Sequence, residues 1–276
     1  MTARPDPDRP HDHEIPLAGG FVNDVVRVGD TVRRTSGPWT PAVHALLRHL
    51  EEVGFAESPR VLGIDDLGRE VLSYLPGETM PWTNWPRVLC DDDGVAQLGR
   101  LLRRYHDAVS DFRPPPGAVW RNPLAGPGEI IRHGDFSPFN TTWVDDTVVG
   151  LIDWDFARPG RRIDDLAYLA WQLVPLQPEG RRKEYGLDSR LDLPGRLSVL
   201  CDAYGGDYSP AEVVAAAIDV IEAERGDTAE LATWGLQPWV RFADDGSLQA
   251  FAAEARWLRR TRDFWAGNGG EVPCPD

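Results

Sequence analysis

The sequence predicts an α+β protein in two lobes, a small β-rich one over residues 15–76 and a larger, mainly helical one over residues 77–276. Three observations carry this. Strand-like apolar patterns concentrate before Pro76-Gly77, amphipathic helical periodicity dominates after it, and 276 residues lie near the upper end of what one hydrophobic core organises.

Met1 to Glu14 is rich in Pro, Asp and Arg and has no apolar stretch, so residues 1–14 read as a flexible tail. Val25, Val26 and Val28 precede Gly29-Asp30, and Thr31 to Arg34 resumes, which is the pattern of a two-residue hairpin. Thr40 can cap a helix with Pro41 in its first turn. Val43, Leu46, Leu47, Leu50 and Val53 give that helix one apolar face, and Gly54 stops it. Strands follow over Arg60 to Ile64 and Glu70 to Tyr74. Past Pro76-Gly77, Val95, Leu98, Leu102, Tyr105 and Val109 trace a helix that ends before the prolines at 114–116. Two short strands, Ile130-Ile131 and Val148 to Ile152, flank a loop, and helices are expected at about 164–174, 196–204, 210–225 and 247–265. Trp234, Trp239, Trp257 and Trp265 crowd the C-terminal fifth, where they could stack on sugars or enclose a quaternary ammonium but more often are core, and Trp257, Leu258 and Phe264 read as core within the last of these helices.

Composition excludes several function classes. Lys plus Arg number 29 against 44 Asp plus Glu, a net charge of −15 that argues against a nucleic-acid partner and leaves cationic small molecules or simple solubility. All but one of the basic residues are arginine, the exception being Lys183, and no Gly-Lys-Ser/Thr occurs, so a P-loop is excluded. Cys90, Cys201 and Cys274 form no C-x-x-C pair, as expected of reduced thiols in a cytoplasmic protein. The longest apolar stretch, Leu166 to Leu176, is too short for a bilayer.

Chemistry concentrates in residues 130–165. Asp135 and Asn140 are five apart in a loop, and Asp153 follows 13 later at the end of an apolar strand, so a hairpin can unite them. Singly, each suits a turn. Together, carboxylate and amide oxygens without His or Cys suit a hard cation such as Mg2+ held jointly with phosphate oxygens. The same set serves phosphoryl transfer, with Asp135 as the base on an attacking hydroxyl and Asn140 and Asp153 at the metal.

His133-Gly134-Asp135 with Asn140, followed by Ile152-Asp153-Trp154-Asp155, resembles the aminoglycoside phosphotransferase and choline kinase group within the protein-kinase-like fold. The likeness runs from about 15 to 265. It implies a kinase using ATP or GTP with Mg2+, with Asp165 buttressing the catalytic loop and His133 packing behind it. Asp155 is left between a second metal, a cationic substrate group and a pairing with Arg158 or Arg161. Gly19 and Gly20 lie where a loop would cover nucleotide phosphates. On the next strand Val32 would cover the purine and Arg34 reach the phosphates. The family usually pairs that cation with a glutamate early in the following helix, where this chain has Val43 and His44. Ser73 and Leu75 fall at the crossover between lobes, and Ile152 at the floor of the purine pocket. The resemblance implies a small hydroxyl-bearing acceptor, commonly cationic, bound by carboxylates of the C-terminal helices such as Asp227 and Glu230, with Asp244, Asp245 and Glu254 nearby. An aminoglycoside-type antibiotic is the leading expectation, acting on a monomer or homodimer. Choline, amino-alcohol or sugar kinases, a silent nucleotide-binding module and an Asp-x-Asp phosphatase are the alternatives.

Overall fold

A computed structural model describes residues 14–17, 25–81, 83–188 and 191–265. Its first part is a five-stranded antiparallel sheet made of β1 (Ile15–Pro16), β2 (Val25–Val28), β3 (Thr31–Thr35), β4 (Val61–Ile64) and β5 (Arg69–Ser73), in the order β1-β2-β3-β5-β4. The β2–β3 turn uses Gly29 at φ +57, which glycine adopts without a steric penalty. The register sets Arg34 of β3 directly opposite Glu70 of β5. Because side chains alternate along a strand, Arg34 shares a face with Val32, while Arg33 points the other way and pairs with Asp65 at 3.3 Å.

Helix α1 (Thr40–Glu52) follows β3 and buries Val43, Leu46, Leu47 and Leu50. Its N-cap is Trp39, one residue before the expected Thr40, whose hydroxyl instead accepts from the Gly37 N–H at 2.8 Å. Val53, expected on the apolar face, is 51% exposed because the helix ends before it.

The remainder is mostly helical. β6 (Glu78–Thr79), α2 (Arg87–Cys90) and α3 (Asp92–Ala108) lead to β7 (Ile130–Arg132), β8 (Thr141–Val144), β9 (Thr147–Leu151) and β10 (Arg158–Gly160). β6, β8 and β9 make one small sheet, and β7 with β10 another. Then come α4 (Arg162–Leu173), α5 (Glu179–Glu184), α6 (Leu193–Tyr204), α7 (Pro210–Thr233), α8 (Trp239–Asp244) and α9 (Ser247–Trp265). Helix α7 runs eight residues beyond the expected end at 225. Gly226 lies inside it, and the ~1 kcal/mol cost of an interior glycine is offset by packing against α4 and α9. At its start Ser209 and Glu212 form a reciprocal capping box.

One continuous core joins Leu46 and Leu50 of α1, Leu98 and Tyr105 of α3, Trp154, Leu166 of α4, Ile221 of α7 and Trp257 of α9. Trp265 is buried as expected, whereas Trp234 is 52% exposed past the end of α7. No helix among the described residues is long and apolar enough to cross a membrane.

Candidate active site

β7 delivers the chain into His133-Gly134-Asp135. Gly134 sits at φ +80, and a Cβ on it would lie 2.1 Å from the Phe156 carbonyl, so the tight loop accepts no side chain there. His133 is fully buried. Its Nδ1 accepts from the Asp135 N–H at 3.3 Å, which leaves Nε2–H to donate to the Ile152 carbonyl at 3.1 Å. Burial holds this imidazole below its ordinary pKa, in keeping with that neutral form. Asp165, at the start of α4, accepts from the N–H groups of His133 at 2.7 Å and Gly134 at 3.0 Å. Its third partner is His106 Nε2 at 3.2 Å, itself backed by the Tyr204 hydroxyl at 2.8 Å. Burial opposes ionisation of Asp165, but His106, Arg132 and His133 hold it below the usual carboxylate range.

Asp135 is gripped from two sides. Tyr168 of α4 donates its hydroxyl to one carboxylate oxygen at 2.7 Å, and Asn140 donates its amide to the other at 2.8 Å and to the main-chain carbonyl at 2.9 Å. Burial and the negative charge of Asp153 push the Asp135 carboxyl up to about 7, with the Tyr168 and Asn140 hydrogen bonds pulling the other way. Asp153 ends the β9 strand segment at φ +61, and the Ile152 N–H donates to the Asn140 carbonyl at 2.9 Å, tying loop to strand end. Thus Asp135, Asn140 and Asp153 are brought together as the spacing implies.

Arg34 reaches this cluster from the sheet. It pairs with Glu70, with Asp153 at 3.1 Å and with Asp155. The expected helix glutamate is thereby replaced by its cross-strand neighbour Glu70, and helix α1 contributes His44, whose Nε2 lies 3.0 Å from the second Glu70 oxygen. Burial disfavours the Arg34 charge, but Asp153 and Glu70 hold its pKa above the ordinary value. Asp155 differs from every expectation for it. It is 1% exposed and lies between Arg34 and Arg121, the latter 2.5 Å away. Arg158 pairs instead with Glu224, and Arg161 with Asp164 at 2.6 Å. A carboxylate enclosed by two guanidiniums is not offered to an acceptor. Arg121 stacks over Trp39 and Phe156, 4.5 and 5.2 Å from the ring centres, and burial pushes its guanidinium down to about 10.

The remaining predicted residues scatter. Val32 and Ile152 are half-buried near Arg34 and Asp153 in sequence. The Ser73 hydroxyl and N–H both engage Arg60, at 2.8 and 2.9 Å, so Ser73 is held inside the sheet and does not face the crossover. Leu75 packs towards Gly150. Gly19 and Gly20 lie outside the described residues. Asp227 of α7 accepts from Asn122 at 2.6 Å and lines a cavity of about 420 Å3, while Glu230 is exposed. Glu254, grouped with the acceptor-side carboxylates, is buried and accepts from the Trp171 indole at 2.8 Å.

Sequence reasoning missed Glu70, Tyr168 and Arg121. Tyr168 carried a usable signal, since it lies one helical turn after Asp165. The donor set fits a hard cation: Asp153 gives a carboxylate on a 38% exposed side chain, and Asn140, its amide N–H groups spent on Asp135, has its amide oxygen left. No group of three or more His, Cys, Asp or Glu placed to hold a metal occurs among the described residues.

The APH model of the phosphotransferase enzyme family matches residues 117–200. A trifolitoxin immunity protein of Rhizobium leguminosarum bv. trifolii is 38% identical over 201 residues, covering 70% of this chain and 74% of that protein. The chain belongs to the phosphotransferase enzyme family. It is a phosphotransferase by that membership. Solved structures share the phosphotransferase fold at low identity. A choline/ethanolamine kinase family protein from Mesorhizobium loti is 19% identical with TM-score 0.52, covering 92% of this chain and 87% of that one. The GDP complex of aminoglycoside 2'-phosphotransferase-IIIa is 15% identical with TM-score 0.55, covering 91% and 94%. A microcompartment-associated aminopropanol kinase is 14% identical with TM-score 0.57, covering 92% and 93%. The two-lobed kinase-like fold expected of this phosphotransferase is therefore present.

Proposed function

We propose that this phosphotransferase moves the γ-phosphoryl group of ATP or GTP to a hydroxyl of a small acceptor, with Asp135 as the base. The observation that carries this reading is the Asp135 carboxylate held between Tyr168 and Asn140, with Asp153 close enough to raise its proton affinity. A carboxyl with a pKa near the working pH is suited to accept the proton of an attacking hydroxyl. Asn140 and Asp153 would hold Mg2+, which supplies charge neutralisation at the phosphate oxygens when bound. Arg34, oriented by Glu70, is the cation for those phosphates, in a chain whose single lysine is Lys183. Residues 15–76 form the nucleotide-binding lobe in this reading, with Gly19 and Gly20 over the phosphates and Val32, Leu75 and Ile152 around the purine. Residues 77–276 supply the catalytic loop and the acceptor site, with residues 1–14 as a leading tail.

The acceptor carries at least one cationic group. The net charge of −15 and the carboxylates of Asp219 and Asp227, about two helical turns apart on α7, support this. The relative named for toxin immunity favours an antibiotic-like acceptor over a choline-like metabolite, with the reaction placed in the cytoplasm, where its nucleotide is supplied.

Thermal stabilisation by ATP and GTP, with and without Mg2+, tests the nucleotide half of this reading, since a ligand of the folded state raises its melting temperature. Magnesium-dependent stabilisation is expected in the wild type and its loss in Asp153→Ala. Equal stabilisation of both proteins would remove Asp153 from the metal site, and none in the wild type would remove the kinase reading.

A further inference from the structure

β10 pairs with β7 so that Arg158 stands directly opposite Arg132. Like charges facing each other across a ladder repel, and here both are buried, at 5% and 6% exposure. Glu224 is the acidic residue paired with both. Oε1 of Glu224, on α7, takes the Arg158 guanidinium and lies 3.5 Å from that of Arg132. One carboxylate oxygen thus serves two guanidiniums, and among the described residues Arg132 has no other ion pair or side-chain hydrogen bond closer than this. Burial and the charge of Arg158 hold the Arg132 pKa below its ordinary value, although Asp165, Glu224 and Asp164 pull the other way.

Two glycines give Arg132 its path. A Cβ on Gly160 would lie 2.7 Å from Arg132 Cδ, and one on Gly128 would lie 2.0 Å from the Gly160 nitrogen. The side chain therefore passes close to bare backbone and reaches the cavity of about 420 Å3, whose charged lining is Arg132, Arg158, Arg161, Asp164, Asp219 and Asp227. Arg132 ends β7, three residues before the proposed base Asp135. Glu224 acts electrostatically on Asp135, and both Glu224 and Arg158 act on Tyr168.

We propose that Arg132 and Arg158 form an oxyanion subsite that binds a carboxylate of the acceptor, which makes the acceptor a zwitterion with its ammonium group towards Asp219 and Asp227. The proposal rests on the phosphoryl-transfer reading of Asp135. The guanidinium fork matches a carboxylate in two-point geometry, and an arriving anion offsets part of the repulsion between the two facing guanidiniums. Inorganic phosphate presents the same oxyanion chemistry, so the test separates the two.

The full chain, without nucleotide, is titrated with malonate and with inorganic phosphate, each against KCl of equal ionic strength, and the melting temperature is followed. Malonate is expected to stabilise saturably and more tightly than phosphate. Arg132→Gln should weaken malonate about tenfold or more, the scale of a lost charged hydrogen bond. Glu224→Gln, which frees both guanidiniums, should tighten it, a gain that a misfolded variant cannot give. Asp153→Asn should lose the magnesium-nucleotide response and keep the malonate response, so that this subsite and the kinase reading fail separately. No saturable response in either wild type or Glu224→Gln overturns the subsite. So does a response that survives Arg132→Gln and vanishes in Asp153→Asn, because the anion would then sit at the nucleotide phosphates. Phosphate binding as tight as malonate or tighter overturns the assignment to an acceptor carboxylate.

Discussion

Asp135 takes its two hydrogen bonds from groups of different origin, Asn140 in its own loop and Tyr168 on the helix that follows. The carboxylate is oriented by both, and its charge is what the proposed reaction would use. Asp135→Asn should lower kcat by about 100-fold or more while leaving magnesium-nucleotide stabilisation intact, measured by phosphate transfer beside thermal shift. Tyr168→Phe keeps the base and removes one support, so a fall in kcat of roughly tenfold with an unchanged nucleotide KM is expected. Glu70 has the opposite profile. It is 2% exposed and answers both Arg34 and His44, so Glu70→Ala leaves a buried guanidinium short of a partner. Breaking a buried pair in this way costs about 3 kcal/mol or more, to be read from urea unfolding, with a raised nucleotide KM alongside.

At the scale of elements, the loop between β7 and β8 is built on glycine. Gly134→Ala places a methyl group against the Phe156 carbonyl in a left-handed backbone position. The helical circular dichroism signal should survive this change, because the core does not pass through Gly134, while phosphate transfer is lost. This loop and the strand end at Asp153 were legible in the sequence because their parts are near neighbours: a carboxylate and an amide five apart, and an apolar strand closing on Asp153. The partner of Arg34 was not. Glu70 is 36 residues away and reaches Arg34 through strand register, which no local pattern encodes. The partners of Asp155 were hidden for a related reason: Arg121 is 34 residues away and Arg34 121 residues away, so neither pairing shows in a local pattern. The helices were legible from their apolar spacing, and their ends less so, as Gly226 inside α7 shows.

For the whole molecule, acid is the expected weakness. Burial keeps His106 below its ordinary value of 6.5, although Asp165 pulls the other way. The unfolded chain therefore takes up a proton that the folded chain refuses, and stability is lost as pH falls from about 6.5 through the folded value. Asp165 and Glu70, held below the ordinary carboxylate range, add a second loss as pH falls below 4.5 and then 3.8. Melting temperatures at pH 7.5, 6, 5 and 4 should decline in that order, and a flat profile between 7.5 and 5 would contradict a neutral buried His106. The Arg34–Glu70 pair carries a different consequence. Both residues belong to one sheet and stand opposite each other in its ladder, so their contact is fixed once the sheet forms. An ion pair between a strand and a helix opens when the helix rotates. Here rotation of α1 would release His44 from Glu70 and leave Arg34 paired, so the aim of the Arg34 guanidinium is set by the sheet and not by the seating of α1.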